Sequence, residues 1–198
     1  MVSETRKTKT TMDGRKLRAE NRRKKIFETL LSFYREGIYC PNIAEMEKRS
    51  GVSRRTLHHL FKNAEGLATA VAEYLNPTYK KSYHFEPTNG PLEQRIETLI
   101  RHRAKLYEVI TPTRKATLYY MSQIQSLARD QEAANQTLRN HVRDQFKSEL
   151  AAGPQGLLET LDLLTSWDTW NRLRAVQKLT IKDSITLLCE LIAIQLKY

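Results

Sequence analysis

The segment from Gly37 to Leu67 constrains the fold of this chain more than any other part of its sequence. A short amphipathic helix is followed there by the turn sequence Ser50-Gly51-Val52-Ser53. Because glycine adopts positive φ without steric cost, Gly51 suits a tight turn between two helices. Ser53 is a preferred N-cap, so a second helix is expected to begin after it. The pattern predicts a helix-turn-helix unit, whose second helix lies in the major groove of duplex DNA.

The predicted second helix places polar and basic side chains among the apolar residues Leu57, Leu60 and Phe61. Basic and hydrogen-bonding groups at the start of such a helix face base edges and phosphates. We therefore predict DNA contacts from this helix and its ends, from Asn42 before the preceding helix and from the basic stretch ahead of the unit: Asn42, Ser53, Arg54, Arg55, Thr56, His58, His59, Lys62, Arg22 and Arg23.

The sequence contains four helix patterns at a regular spacing around the turn. The patterns are an entry helix ending at Phe33…Gly37-Ile38, a helix with Ile43 and Met46, a helix with Thr56-Leu57…Phe61, and a start at Asn63…Glu65…Leu67. With this spacing residues 22–75 resemble the DNA-binding domain of the TetR/AcrR family of bacterial one-component transcriptional regulators. The resemblance implies an all-α fold, with an amino-terminal three-helix helix-turn-helix domain followed by a helical ligand-binding and dimerisation domain. It also implies a homodimer on a palindromic operator, most often a repressor that a small-molecule effector releases.

The chain departs from the common pattern of that family at five positions. Family members commonly have Thr, a small residue, Tyr, Tyr and Lys where this chain has, respectively, Pro41, Glu47, His58, Leu60 and Ala64. Several of those family residues contact phosphates. We therefore expect this chain to make its phosphate contacts from other positions.

The positive charge of the chain is concentrated ahead of the helix-turn-helix unit. The formal net charge of the 198 residues is +11, and residues 1–25 contribute +7, as ten Lys or Arg against three Asp or Glu. This segment has almost no large apolar residue with which to order itself, so residues 1–21 are predicted to form a basic, flexible arm. Such an arm releases counterions when it lies along phosphates or in a minor groove. The alternative is a solvated leader that makes no DNA contact.

Beyond residue 75 the sequence predicts helices alone, because no segment sustains the period-two alternation of a strand. Asn76-Pro77 is expected to interrupt or end the fourth helix, and Thr111-Pro112 to begin a new one as N-cap and first helical residue. Later helices are expected at about 130–151, from the Gly153-Pro154 break to about 177, and after the N-cap Thr180. The predicted domains are the arm (1–21), the helix-turn-helix domain (22–75) and a helical effector-binding and dimerisation domain (76–198).

The last two predicted helices are apolar on more than one side. Their stripes are Ile181, Ile185, Leu188 and Ile192; Leu187, Leu191 and Ile194; Leu157, Leu161 and Leu164; and Leu163, Trp167 and Trp170. A helix that is apolar on two sides must be buried from two directions. A second copy of the chain is the expected partner, in an isologous four-helix interface. The alternative is deep burial within one monomer.

Arg103 falls in the middle of an apolar helical face that runs from Leu92 to Ile110. Because unpaired burial of a charge is costly, this guanidinium must be paired or must reach an anion. One interpretation is a pair with Glu149 or Gln145 that fixes helix packing. The other makes Arg103 the anchor of an anionic effector. The candidate effector-binding residues are His102, Arg103, Tyr107, Tyr120, His141, Gln145, Glu149 and Trp167.

The sequence also argues against several classes of protein. No apolar run approaches the ~20 residues of a membrane span, and no signal-peptide core follows the basic start, so a cytoplasmic location without membrane contact is expected. Cys40 and Cys189 are too few for a disulfide framework or a zinc site. We expect neither an enzyme nor a cofactor, because no nucleophile–base pair, paired carboxylates or phosphate-binding glycine loop is present. The alternatives are a basic architectural nucleic-acid-binding protein and, less favoured, an all-helical enzyme.

Overall fold

The computed structural model describes residues 5–197, with the backbone alone for residues 5–13 and 15. Within this part of the chain all regular structure is helical, which confirms the predicted all-α class. The elements are α1 (Thr5–Arg35), α2 (Ile43–Ser50), α3 (Arg54–Phe61), α4 (Ala64–Tyr83), α5 (Leu92–Tyr120), α6 (Gln125–Gln145), α7 (Lys147–Ala152), α8 (Leu157–Leu164), α9 (Trp167–Asn171), a π-helical turn (Arg172–Val176) and α10 (Ile181–Leu196).

The chain divides into two compact units. The first contains the residues through Tyr74 together with Pro112–Ile124, and the second contains Leu75–Thr111 and the residues from Gln125 onward. Both α4 and α5 therefore contribute residues to each unit. No sequence pattern indicated that Pro112–Ile124 belongs with the first unit.

The first unit is built on apolar side chains that recur at helical spacing in α1. The ring centroid of Phe27 lies 5.8 Å from that of Phe61 in α3. Arg49 of α2 donates to both carboxylate oxygens of Glu36 at 2.6 and 2.9 Å, and its guanidinium lies 3.8 Å from the ring centre of Phe33. These contacts fix α2 and α3 against α1. The buried apolar side chains of α1–α4 and of the turn between α2 and α3 are Ile26, Phe27, Leu30, Phe33, Tyr34, Met46, Val52, Leu57, Phe61, Leu67, Ala68 and Val71.

The basic segment ahead of this core is helical, whereas a flexible arm was predicted. Residues 5–21 continue α1, and residues 1–4 of the predicted arm lie outside the described residues. Once the packed part of α1 has formed, each further residue adds a hydrogen bond without a new nucleation cost. Lys, Arg, Ala and Glu are also good helix formers. Because the side chains of residues 16–25 are exposed, this part of α1 presents a basic helix to solvent.

Two helix breaks predicted at prolines are wrong. α4 continues through Pro77, and α5 continues through Pro112. A proline inside a helix removes one backbone donor and costs about 3 kcal/mol. In α5 the buried residues Ile110 and Ala116 flank the proline, and their burial offsets part of that cost. Thr111 is not an N-cap, because its hydroxyl donates to the Tyr107 carbonyl oxygen at 2.5 Å inside the helix.

The second unit contains more breaks than the sequence predicted. The expected helix over 130–151 is divided at Phe146 into α6 and α7, and the expected long helix to about 177 is divided at Ser166. The Ser166 hydroxyl oxygen accepts from the Thr169 N–H at 3.1 Å and so caps α9. The predicted cap of the last helix is confirmed, since the Thr180 hydroxyl oxygen accepts from the Asp183 N–H at 3.1 Å.

The core of the second unit joins α5, α6, α8, α9 and α10. Its fully or nearly buried members are Ile96, Leu99, Ile100, Ala104, Leu106, Tyr107, Ile110, Leu138, Val142, Phe146, Leu157, Leu161, Trp167, Trp170, Leu173, Leu188 and Ile192. No helix of the described chain has the combination of length and apolar character that a membrane span requires. The described residues also hold no cluster of His, Cys, Asp and Glu suited to a metal ion.

Candidate functional site

Local side-chain caps fix the two helices of the helix-turn-helix. The Asn42 side-chain oxygen accepts from the Glu45 N–H at 2.9 Å, and the Glu45 carboxylate accepts from the Asn42 N–H at 2.8 Å. This capping box begins α2, so the predicted DNA contact Asn42 has a structural role. Gly51 ends the helix at φ 66°, and Ser53 caps α3 by accepting from the Thr56 N–H at 3.4 Å. The turn and the Ser53 cap follow the sequence prediction, whereas the Asn42 cap was not predicted.

α3 turns its apolar residues inward and its basic residues outward. Leu57 and Phe61 are buried, and Thr56 is half-buried. The remaining predicted contacts on this helix and at its end are exposed: Arg54, Arg55, His58, His59 and Lys62. Residues four apart lie on the same face of a helix, so α3 presents two exposed pairs, one at positions 54 and 58 and the other at positions 55 and 59.

The first exposed pair is bonded within the protein. The Arg54 Nε–H donates to the Glu47 carboxylate at 2.7 Å, and the same carboxylate accepts from the Arg54 backbone N–H at 3.2 Å. These bonds lower the pKa of Glu47. The Nδ1 atom of His58 lies 3.3 Å from the carbonyl oxygen of Lys62. Glu47 stands where the TetR family commonly has a small residue, and here it links α2 to the start of α3.

The second exposed pair, Arg55 and His59, has no bonded partner among the described residues. Neither side chain forms a hydrogen bond or an ion pair there, and both are exposed. Arg22 and Arg23 are likewise exposed on the basic part of α1. The structure therefore leaves two sets of basic side chains able to meet an external anion, one on α3 and one on α1.

The chain turns sharply between α3 and α4. Lys62 has φ 60° and ψ −56°, and the Asn63 N–H donates to the Phe61 carbonyl oxygen at 2.6 Å. This is the γ-turn geometry with positive φ, which is uncommon for a residue other than glycine. Asn63 then caps α4, because its side-chain oxygen accepts from the Gly66 N–H at 2.8 Å.

Neither pairing predicted for Arg103 is present. Glu149 instead forms an ion pair with Arg95 of α5, which lowers the pKa of Glu149. Arg95 also donates to the Gln145 carbonyl oxygen at 2.9 Å. The Gln145 side chain accepts from the Thr88 N–H at 2.8 Å and donates to the Arg95 carbonyl oxygen at 3.2 Å. The internal pair that holds α5 to the end of α6 was predicted for the wrong arginine.

Arg103 is 1 % exposed, as its position on the apolar face predicted. Its Nη2 donates to the Leu138 carbonyl oxygen at 2.7 Å. Its Nε and Nη1 atoms have no hydrogen-bond partner, and the Nδ1 atoms of His102 and His141 are also buried without one. The imidazole centroids are 6.1 Å apart. Burial lowers the pKa of both histidines, that of His141 to about 4, and the charge of Arg103 adds to the effect.

Of the other predicted effector residues, Tyr107 lies one helical turn from Arg103 on α5 and contributes to the field there. The Tyr107 hydroxyl donates to the Thr165 carbonyl oxygen at 2.7 Å, and the Trp167 Nε1–H donates to the Thr111 hydroxyl at 3.0 Å. Both bonds serve the core of the second unit. Tyr120 belongs to the first unit, where burial and a hydrogen bond with Cys40 raise its pKa.

No role was predicted from the sequence for three residues, one in the helix-turn-helix and two in the second unit. Glu47 and Arg95 carry the ion pairs, and Phe85 packs with its ring centroid 5.0 Å from His102 and 5.4 Å from His141. Arg95 had a weak signal, because it lies one helical turn before the fully buried Leu99. Phe85 had none, since it lies in the irregular segment between α4 and α5.

A shallow groove of about 260 Å³ lies elsewhere in the second unit, lined by Ser148, Glu149, Ala152, Gly153, Leu157, Gln195 and Leu196. Of the predicted effector residues it includes Glu149 alone. Since that carboxylate is already bonded to Arg95, the groove offers no unsatisfied charge to a ligand.

Comparison with known proteins gives a match in structure. No protein-family model and no curated protein matches the sequence. A crystal structure of a Rhodococcus sp. protein assigned to the TetR family of transcriptional regulators matches with a TM-score of 0.60. The match covers 89 % of this chain and 99 % of that one, at 16 % sequence identity. The chain therefore has the fold of the TetR-family regulators.

Proposed function

We propose that this chain is a DNA-binding transcriptional regulator that binds a palindromic operator as a homodimer in the cytoplasm. The observation that carries the proposal is the face of α3 formed by Arg55 and His59. These side chains are exposed, have no internal partner among the described residues, and stand on a helix that Ser53 caps and that Leu57 anchors. The fold supports the proposal, because α3 is the second helix of the helix-turn-helix.

Arg55 is the residue best placed to read a base. Arg pairing in bidentate fashion with guanine is the commonest specific contact in the major groove, and it requires a guanidinium that is free to move. Arg54 is held by Glu47, so it suits a fixed phosphate contact better than base reading. Arg22 and Arg23, on the exposed part of α1, would then supply the phosphate affinity that the family residues missing at positions 58 and 64 would otherwise give.

The homodimer is proposed from apolar side chains that the single chain leaves uncovered. α8 and α10 pack against each other and bury Leu161 and Ile192. On the same helices Leu163 is 65 % exposed and Ile194 is 51 % exposed. A second copy would cover these side chains in an isologous interface, and two copies would engage the two halves of a palindrome.

Regulation is proposed to follow from ligand binding in the second unit, with the ligand-free protein acting as a repressor. α4 runs without a break from one unit into the other, so it offers a covalent, helical route from a ligand to the helix-turn-helix. Release requires that the effector bind the operator-competent and released states unequally.

The proposal is tested by selecting genomic fragments on the purified protein and sequencing them. A regulator enriches a palindromic sequence, and an architectural protein retains random duplex equally well. On the enriched operator Arg55→Ala should cost about 1–3 kcal/mol and relax specificity at one position. Arg101→Ala is the matched control, because Arg101 is an exposed arginine of the second unit. If Arg55→Ala weakens operator and random DNA equally, base reading by this residue is excluded.

Dimerisation is tested by sedimentation of wild type, Ile194→Glu and Val109→Glu. Val109 is 52 % exposed and so matches Ile194 in exposure, but it lies on α5. Ile194→Glu should give monomers and Val109→Glu dimers, because a carboxylate cannot be buried unpaired in an interface. A dimer that survives Ile194→Glu would place the interface elsewhere.

A further inference from the structure

Most of the hydrogen-bond donors of the Arg103 guanidinium have no acceptor. It carries five N–H groups, and the three on Nε and Nη1 have no acceptor. The side chain is 1 % exposed, so water does not satisfy them from the surface. Arginine stays protonated in proteins, and a buried charge without a counter-ion costs several kcal/mol. A group retained at such a cost is expected to meet its partner from outside the chain.

The described residues supply no counter-ion for this charge. Asp162, which contributes to the field at Arg103, is bonded to Arg139 at 3.2 Å. Glu149, the other acid considered, is bonded to Arg95. The tyrosines that influence Arg103, Tyr107 and Tyr83, are neutral at ordinary pH. No acid among the described residues is bonded to Arg103 itself; Asp162, which shares Arg139 with Glu159, acts on Arg103 only through its field.

The two imidazoles beside Arg103 add polar atoms without adding charge. The lowered pKa values of His102 and His141 keep both rings neutral at pH 7. The Nε2 of His102 lies 3.0 Å from the His84 carbonyl oxygen, and a carbonyl only accepts, so the proton of this ring is on Nε2. The neutral His141 ring carries its proton on either Nδ1 or Nε2. Its Nδ1 has no partner, so in the tautomer with the proton on Nδ1 this atom can donate to an anion.

Phe85 occupies the space beside these imidazoles. Its half-buried ring packs against both of them and belongs to the irregular segment between α4 and α5, not to a helix. The segment is held at His84 and at Thr88 by bonds to His102 and Gln145, so displacement of the ring requires rotation of the Phe85 side chain rather than movement of the backbone. The volume that the ring vacates has the size and shape of a phenyl ring.

We infer that Arg103 and His141 form a binding site for an organic monocarboxylate with an aromatic body, whose ring takes the place of Phe85 beside His102. A carboxylate carries one negative charge and matches the planar donors of a guanidinium. A phosphate group carries about −1.5 to −2 and would leave charge uncompensated in the same buried place. The assignment of this carboxylate as the effector rests on the proposed function. The prediction that the carboxylate binds at Arg103 does not.

The test uses benzoate as the probe and calorimetric titration of the full chain as the readout. Wild type should bind benzoate, and it should bind benzyl alcohol, acetate and inorganic phosphate more weakly. Arg103→Met should lower benzoate affinity at least about tenfold, because a charge-assisted hydrogen bond is lost. The matched control is Arg101→Met, since Arg101 is on the same helix but exposed and paired with Glu97. This control should bind benzoate as wild type does.

Phe85→Ala makes the test independent of how readily the ring moves. Removing the competing ring should raise benzoate affinity and leave the dependence on Arg103 intact. Absence of saturable benzoate binding in both wild type and Phe85→Ala overturns the inference. Equal binding by Arg103→Met, or tighter binding of phosphate than of benzoate, also overturns it.

The operator distinguishes this failure from failure of the proposed function. Operator binding is measured first without benzoate, so its absence would count against the regulator alone. If benzoate binds but operator affinity does not change, the binding site is supported and its role as the effector site is excluded.

Discussion

The α2–α3 region and the α5–α6 region satisfy their polar groups in opposite ways. In α2–α3 the bonds that begin each helix join residues close in sequence, as in the caps Asn42–Glu45 and Ser53–Thr56. In α5–α6 they are distant, as where Gln145 bonds to Thr88 and Arg103 bonds to Leu138. The first region is complete without a ligand, and the second keeps buried nitrogens without partners. The comparison suggests that a preformed reading surface and a ligand-dependent site are built by different kinds of bonds.

The largest expected effect concerns the Arg95–Glu149 ion pair in the second region. Arg95→Met should destabilise the protein by about 2–3 kcal/mol, because it leaves a half-buried carboxylate and the Gln145 carbonyl oxygen short of a donor. Chemical denaturation measures the change. A loss below about 0.5 kcal/mol would show that the distant bonds contribute little and would remove the contrast with the first region.

The same pair predicts a pH dependence. Arg95 lowers the folded-state pKa of Glu149 below its usual value of 4.5. Its contribution is therefore present above about pH 4.5 and is lost as pH falls through the lowered folded pKa. The stability difference between wild type and Arg95→Met should shrink below pH 4. A difference that stays constant down to pH 2 would mean that charge pairing is not its source.

The second prediction concerns two helical glycines that helix propensity treats alike. A Cβ at Gly66 would overlap the Phe61 carbonyl oxygen, which the γ-turn at Lys62 holds in place. Gly66→Ala should therefore cost about 2 kcal/mol, as overpacking does. Among the described atoms a Cβ at Gly14 would meet nothing closer than the Arg18 guanidinium at 4.0 Å, so Gly14→Ala should gain about 0.5–1 kcal/mol. Melting curves of the two variants should move in opposite directions, and a gain in both would show that the turn is loosely held.

How much could be predicted depended on the sequence distance of each contact. Ser53, Thr180 and Gly51 were predictable because a cap or a left-handed turn is decided within about four residues. The burial of Arg103 was predictable from helical periodicity. Its partners were not, because periodicity places a side chain on a face but does not say which residue of another helix lies opposite. The prediction at Pro112 failed for a related reason, because local propensity was outweighed by the burial of Ile110 and Ala116 around it. The residues around Pro77 are mostly exposed, and nothing in the structure explains why α4 continues there.

The third prediction addresses the local caps of the first region. Ser53→Ala should cost about 1 kcal/mol, because the Thr56 N–H at the start of α3 loses its acceptor. Ser82→Ala serves as a control, since the Ser82 hydroxyl donates to the Thr78 carbonyl oxygen inside α4 and caps nothing. Hydrogen exchange at the Thr56 amide should increase in Ser53→Ala alone. Unchanged exchange there would mean that water or the turn replaces the cap.

The smallest expected change in stability is that of Arg103→Met, and it is zero or favourable. This variant tests the contrast between the two regions most directly. Arg103→Met should leave stability unchanged or raise it by up to about 1 kcal/mol, because it removes a buried charge that lacks a counter-ion. Leu138 loses only an additional donor, since the helical N–H four residues on still reaches its carbonyl. The pKa of His141 should rise from about 4, because Arg103 is one of the causes that lower it, and NMR titration measures this directly. The same Arg-to-Met change on the same helix should thus destabilise at position 95 and not at position 103. If both variants lose equal stability, Arg103 is a structural residue like Arg95, and the second region is as complete without a ligand as the first.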